Sequence, residues 1–277
     1  MTEGTIFNIK LNNEKVLLAG PWVGELGWEL FCWQGYIRTL SKEYKKTIVV
    51  SKAGHEFLYK DFCDEFHVID LPLDSKFDSW SCYGLDDNTI LSKIIGIEYD
   101  VRFPSDNIGF SMNHDGTAYV FNNNYSNQTF IKYESDILQE KFDVIIHPRN
   151  RTVGGERNWS EDSWQKLVDL LLKDYSVAMI GNHETFNIKN AIDFRNIPME
   201  STVSLISRSR LVVGPSSGPM HLASLCGTPH LVWSTQFNFL RYTKHWNPFN
   251  TPVYFYSKDD WNPSVDFIYE KIRENIK

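Results

Sequence analysis

The stretch Leu211-Val-Val-Gly-Pro-Ser-Ser-Gly-Pro-Met-His-Leu-Ala-Ser-Leu-Cys-Gly-Thr-Pro-His230 decides the fold. Its first three residues are a short apolar run, as a buried strand requires. Gly214 to Gly218 is turn chemistry, and the residues after it carry a helix from Pro219 to Leu225. Pro219 stands early in that helix, where its missing N–H costs nothing and its fixed φ suits the first turn. Strand, tight turn and helix in this order leave unpaired backbone N–H groups at the helix start. Those of Ser217, Gly218 and Met220 are expected to face an anion, which the helix dipole favours. Ser216 and Ser217 add hydroxyls, and Gly218 permits close approach of a phosphate. His221, one turn in, is positioned to donate to a phosphate or a sugar hydroxyl. The plainer alternative is a helix start whose serine is only a cap.

Upstream, Asp143–His147 reads as a strand, Ser160–Leu172 as a helix and Ser176–Ile180 as a second strand. The helix has Ser160 as N-cap, with Glu161 and Asp162 in its first turn. Between strand and helix, Arg149, Arg151 and Arg157 flank Gly154-Gly155. Guanidinium forks match phosphate oxygens in pairs and neutralise charge on a departing diphosphate. A solvated basic loop is the bland reading, but a helix-start anion site downstream favours a shared ligand. Downstream follow a short helix at Ser201–Arg208, a strand at His230–Trp233 and a terminal amphipathic helix at Ser264–Ile276.

The first half alternates in the same way. Val16–Ala19, Thr47–Val50 and Glu65–Ile69 read as strands, with helices at Glu29–Leu40 and around Ala53–Lys60. Between residues 72 and 116 only a helix near Thr89–Ile95 is read, and Ala118–Phe121 is expected as a strand that closes the first half. The polar run Asn122–Gln128 is the expected linker. Strands alternating with helices imply crossovers and parallel sheets. The fold class is therefore α/β, two units with a ligand cleft at the carboxyl ends of their strands. Glycines 20, 24 and 27 miss the dinucleotide spacing, and Ser51 and Lys52 stand where an acid would follow the second strand. That argues against a nicotinamide enzyme.

The 277 residues carry a net charge of −7, which disfavours a general nucleic-acid binder. Aromatic residues make up 14%, with nine Trp, and suit a cleft that receives sugars or bases as well as a core. Cys32, Cys63, Cys82 and Cys226 are scattered without a C-x-x-C pair, as in a reducing compartment. His55, His67, His114 and His183 lack metal-ligand spacing, and Asp86-Asp87 and Asp259-Asp260 read as turns. Arg241, Lys244 and His245, interleaved with Tyr242 and Trp246, read as a surface stretch, with contact to donor or acceptor from the domain interface as the alternative. With a polar Met1–Lys15 and no run long enough to span a bilayer, a soluble cytoplasmic protein is expected.

The Leu211–His230 segment closely resembles the donor-site motif of the ADP-heptose:lipopolysaccharide heptosyltransferases and their relatives. Three upstream segments agree in order and spacing. Val144-Ile-Ile-His-Pro-Arg149 looks like the family's strand and phosphate loop, and Arg157-Asn-Trp-Ser-Glu-Asp-Ser-Trp164 like its Lys-x-Trp-Pro-x-x-x-Trp helix start. Val177-Ala-Met-Ile-Gly181, followed by Glu184, looks like its next strand and donor-contacting turn. The resemblance covers about residues 143–233. It departs from the pattern at Ser216, where the family has Asp, and at Arg157, where Lys is common.

The resemblance implies a GT-B-like architecture, two Rossmann-like α/β/α domains facing a central cleft. Residues 1–128 would bind the acceptor and 129–277 the nucleotide sugar, with the last helix able to pack back on the N-terminal domain. It implies an inverting glycosyltransferase that uses no metal and no cofactor beyond its nucleotide-diphosphate sugar co-substrate. Arg149, Arg151, Arg157, Glu184, Ser216, Ser217, Gly218 and His221 would hold the donor. The family's catalytic acid sits in a Gly-Asp pair opening the first helix, so Glu25 and Glu29 are both candidates for the base. Glu29 fits the helix register, whereas Glu25 looks like the pair itself and is favoured. The acceptor would be a glycan or another hydroxyl-bearing molecule. A modified base in DNA is an alternative that a basic stripe of Lys42, Lys45, Lys46 and Lys52 beside the cleft would support. A non-catalytic nucleotide-sugar-binding module is a third.

Overall fold

The computed structural model describes residues 13–22, 24–69, 87–105, 110–112, 118–120, 128–152 and 154–276. Cys82, Asp86, His114 and residues 122–127 of the expected linker lie outside these.

Two parallel sheets organise the chain. The first contains β1 (Val16–Ala19), β2 (Lys46–Ser51), β3 (Glu65–Val68) and β4 (Val101–Phe103), in the order β3-β2-β1-β4. The second contains β7 (Val144–Ile146), β8 (Val177–Gly181), β9 (Ile192–Arg195), β10 (Leu211–Pro215), β11 (His230–Trp233) and β12 (Val253–Tyr256), in the order β12-β11-β10-β7-β8-β9. All pairs within both sheets are parallel. Central strands are fully buried apolar runs, as parallel strands covered on both faces must be. β5 (Phe110–Met112) and β6 (Ala118–Val120) pair antiparallel in a separate ribbon. The strand expected at Ala118–Phe121 is thus β6 over its described residues, Phe121 lying outside them, and β4 is the edge strand beside β1 in the first sheet.

The order reverses at β1/β4 in one sheet and at β7/β10 in the other. In open α/β sheets such switch points open a crevice at the strands' carboxyl ends.

The helices follow from their caps and stripes. In α4 (Glu161–Leu171), the Ser160 side chain accepts from the Ser163 N–H, and Trp164, Leu167, Val168 and Leu171 form the buried stripe. α5 is Met199–Ser207. α6 (Gly218–Cys226) is buried on nearly every side from Met220 onward and stops at Gly227 in the left-handed conformation. The first helix begins at Leu26, earlier than its apolar spacing suggests, as α1 (Leu26–Trp28), a π-helical turn (Glu29–Trp33) and α2 (Gln34–Ser41). The helix expected at Ala53–Lys60 is only a 3-10 turn at Glu56–Leu58, and α3 covers Asp87–Ser92.

One continuous core joins the sheets: Ala19, Val49 and the α1–α2 residues share a cluster with Ile145, Ala178, Val212 and α6. The chain crosses between them at residues 128–133, which belong to both sides. Thr129 N–H donates to the Gly35 carbonyl at 3.0 Å, and Tyr133 N–H to the Leu225 carbonyl at 3.0 Å. The last helix, α7 (Val265–Asn275), packs against α4, and Ile268 and Ile272 enter the second sheet's own core. The expectation that it returns to the N-terminal domain is corrected: its apolar residues complete the face that α4 leaves open. No helix of the described residues is long and apolar enough to cross a membrane.

Candidate active site

A cavity of about 340 Å³ lies between the two switch points, within the usual range for small-molecule sites. From the first sheet it takes the loop after β1 and the start of α1, with Lys52 and His55 after β2. From the second it takes the loops after β7 and β8, α5 and the start of α6. Among the described residues, its lining sets Arg149, Arg151, Arg157, Arg241 and Lys52 against the single carboxylate of Glu25. Five cations facing one anion stand out in a chain of net charge −7. That balance of charge suits an anionic ligand.

The three arginines come together as expected, each held differently. Arg149 is buried and donates through Nη1 to the Gly154 carbonyl at 2.9 Å and to Asn158 Oδ1. Burial, then the charges of Arg157 and Arg151, bring its pKa down to about 10, so it remains a cation at neutral pH. Arg151 meets Glu25, Nη1 to Oε1 at 3.2 Å, and its Nε lies 4.0 Å from Glu184 Oε2. Arg157 lies over the Trp261 ring and packs on Gly154. A Cβ at Gly154 would stand 2.6 Å from Arg157 Nη2, and its φ of +66° is one that side chains disfavour.

The start of α6 differs in detail from the expectation. The Ser217 side chain does not cap the helix; its Oγ lies 2.9 Å from His147 Nδ1. The Ser217 N–H is not turned to a ligand, because it donates to the Tyr242 hydroxyl at 3.1 Å. That hydroxyl donates in turn to Ser216 Oγ at 3.1 Å, so Tyr242 clamps the turn. Gly218 and Met220, as first-turn residues, keep N–H groups without a helical acceptor. Burial and the neighbouring Arg149 and Arg151 push the His147 pKa down to about 3, which keeps the ring neutral. His221 lines the cavity, stacked on Tyr242 with centroids 4.2 Å apart and set edge-on to Trp246. Its pKa is also depressed, by burial and then by Arg241 and His230.

Glu184 is not among the residues lining the cavity; Gly181, Asn182 and Thr185 of the same turn are. The two candidate bases are separated clearly. Glu25 lines the cavity and is half-buried. Glu29 has no exposed surface, so it cannot meet an acceptor directly. Its Oε1 accepts from Ser51 Oγ and the Tyr59 hydroxyl, both at 2.6 Å, and its Oε2 lies 2.6 Å from His55 Nδ1.

Sequence reasoning missed His55 and gave Arg241 the wrong one of its two readings. His55 has no local signal, since its partner Glu29 lies on another element. Arg241 is not on a surface stretch: it lines the cavity, 4.9 Å over the Trp246 ring and 5.4 Å over the Trp28 ring. Lys244 and His245 are the exposed residues of that π-helical turn, Arg241–His245. The i, i+4 aromatic pair Tyr242 and Trp246 was the available sign of an inward face. Of the lysine stripe, only Lys52 reaches the cavity, donating to the Gly24 carbonyl at 2.6 Å. Lys42 and Lys45 lie exposed near the opposite end of β2, and Lys46 pairs with Glu65. Among the described residues, no group of three or more His, Cys, Asp or Glu is arranged to hold a metal ion.

No protein-family model and no curated protein matches this sequence. Solved structures do match. A glycosyl transferase family 9 protein from Veillonella parvula superposes with a TM-score of 0.58 over 96% of this chain and 91% of its own, at 12% identity. ADP-heptose lps heptosyltransferase II of E. coli gives a TM-score of 0.55 over 95% and 98%, at 14% identity. E. coli heptosyltransferase WaaC with ADP gives 0.53 over 94% and 99%, at 12% identity. The fold is GT-B-like. At these identities the likeness extends to the architecture of the whole chain, and the two parallel sheets around the cavity are the two halves of that GT-B-like fold.

Proposed function

We propose that this protein is a glycosyltransferase that takes a sugar from a nucleoside-diphosphate sugar. The observation that carries the reading is the convergence of Arg149, Arg151 and Arg157 with the start of α6 at the β7/β10 switch point. A strand-end crevice with three guanidinium groups and a helix start suits a diphosphate. That WaaC, which shares the fold, is solved with ADP supports the same ligand class. Residues 129–277 hold the donor, and residues 1–128 present the acceptor from the first sheet's switch point. Arg149, Arg151 and Arg157 neutralise the charge that grows on the departing diphosphate, so no metal is required for that task. An acceptor hydroxyl reaching the anomeric carbon from the first sheet attacks opposite the diphosphate, which inverts the configuration. With Lys42, Lys45 and Lys46 at the end of β2 away from the cavity and only Lys52 of that stripe lining it, a small or glycan acceptor is favoured over DNA.

Incubation with ADP-, UDP-, GDP- and dTDP-sugars, reading nucleoside-diphosphate release with and without an acceptor panel, tests the proposal. Release from one nucleotide class, abolished in Arg157→Ala, supports it. Absence of release from every donor, with folded protein, contradicts it.

A further inference from the structure

We infer, on the glycosyl-transfer reading above, that His55 is the group that takes the proton from the acceptor hydroxyl, positioned by the buried carboxylate of Glu29.

His55 is the histidine that the first sheet contributes to the cavity, just beyond the carboxyl end of β2. Its side chain is 15% exposed while that of Glu29 is fully enclosed, and Nδ1 stands 2.6 Å from Glu29 Oε2. With Nδ1 turned to an enclosed carboxylate, Nε2 is the ring nitrogen left to meet a ligand. Glu29 is an acceptor on every side: Ser51 Oγ and the Tyr59 hydroxyl donate to its other oxygen. Burial pushes its pKa up, but His55, Ser51 and Tyr59 outweigh that and hold it below the usual carboxylate range. Beside an ionised Glu29, the neutral form of the ring is the tautomer with its proton on Nδ1 and its lone pair on Nε2. The π-helical turn Glu29–Trp33 begins at this carboxylate, a type of irregularity frequent at functional sites.

The geometry sets His55 apart from Glu25. Glu25 Oε1 is engaged by Arg151, one of the cations the diphosphate needs. A base is more useful when a partner stabilises the charge it gains, as Glu29 does for an imidazolium. In the transfer step the acceptor oxygen forms its bond to the anomeric carbon. The carbon–oxygen bond to the diphosphate breaks, and its electron pair leaves with the nucleoside diphosphate. The hydroxyl proton moves to Nε2 of His55, and water removes it afterwards.

The test compares wild type, His55→Ala and Glu29→Gln on whichever nucleotide sugar the donor panel selects. The expected result for His55→Ala is a loss in kcat on the order of 10²-fold or more, with an unchanged KM for the donor. Imidazole added to the buffer should restore part of that rate and leave wild type unmoved. Glu29→Gln should also lose kcat, without rescue by imidazole. Long-range nitrogen NMR of wild type reads the ring directly and should find the proton on Nδ1. A His55→Ala rate within threefold of wild type, no rescue in a folded variant that binds the donor, or a proton on Nε2 would overturn the assignment alone. Failure of every nucleotide sugar to bind wild type would overturn the transfer reading, and the assignment with it.

Discussion

Arg151 and Glu25 join the two sheets across the cavity: Nη1 of the loop after β7 lies 3.2 Å from Oε1 of the loop after β1. A diphosphate entering the cavity must compete with this carboxylate for the same guanidinium. Glu25→Gln should therefore bind nucleoside diphosphates more tightly, by up to about fivefold, the scale of a partly exposed ion pair. Calorimetric titration of wild type and variant with the same nucleotide reads the change, and weaker binding in the variant would show that Glu25 itself contacts the ligand.

Arg149 and Arg157 should separate stability from binding. Arg149 is buried and supports the Gly154 carbonyl and Asn158, so Arg149→Ala should lower Tm and abolish nucleotide binding together. Arg157 is half-buried and rests over Trp261, so Arg157→Ala should fold normally. Its binding loss should be about 10- to 100-fold, as for a hydrogen bond to a charged group. Thermal melts beside titrations of the same two variants check the contrast.

The two halves meet through glycines. A Cβ at Gly218 would stand 3.1 Å from Leu26 side-chain atoms, and one at Gly27 would stand 3.0 Å from His221 Cδ2. Gly218→Ala should cost about 1–3 kcal/mol by overpacking. Leu26→Ala in the same chain should recover part of that, giving a coupling of about 0.5–3 kcal/mol in a denaturation cycle. Additive effects would mean that the interface yields at Gly218 without strain.

Much of this site was legible because its signals are local. The cap at Ser160, the strand-turn-helix at Leu211–Leu225 and the three arginines each occupy a few consecutive residues. What was not legible depends on partners distant in the chain. Val101-Arg-Phe103 is a strand because β1 lies beside it, and three residues carry no period of their own. β9 and β12 are edge strands, where one-sided burial weakens the apolar pattern. Glu29 reads equally well as a helix-start acid, and only Ser51, His55 and Tyr59, contributed by β2 and the segment after it, make it an enclosed hub. Gly54, with a φ of +81°, interrupts the helix expected at Ala53–Lys60, and His55 turns toward Glu29 there.

Stability should fall with mild acid. His147 and His230 have pKa values lowered to about 3 and about 4, and that of His221 is also depressed, with burial the main cause in each. The unfolded rings protonate near pH 6.5, so unfolding takes up protons below that pH. The stabilisation is complete above about pH 6.5 and is lost as pH falls toward the folded-state values. Three such rings give a slope of up to about 4 kcal/mol per pH unit near pH 5. Scanning calorimetry between pH 7 and pH 5 should show Tm falling steadily, and a flat profile would mean that these rings are charged in the folded protein.

On the transfer reading, the cavity between the switch points binds a nucleoside diphosphate. A thermal-shift titration of wild type with ADP, UDP, GDP and dTDP tests it most directly. The expected result is a saturable rise in Tm with one of them, equivalent to about 2.7 kcal/mol at 100 times its Kd, and a rise cut to about 0.4–1.4 kcal/mol in Arg157→Ala at the same concentration. No shift with any of the four in folded wild type, or an equal shift in the variant, would contradict it.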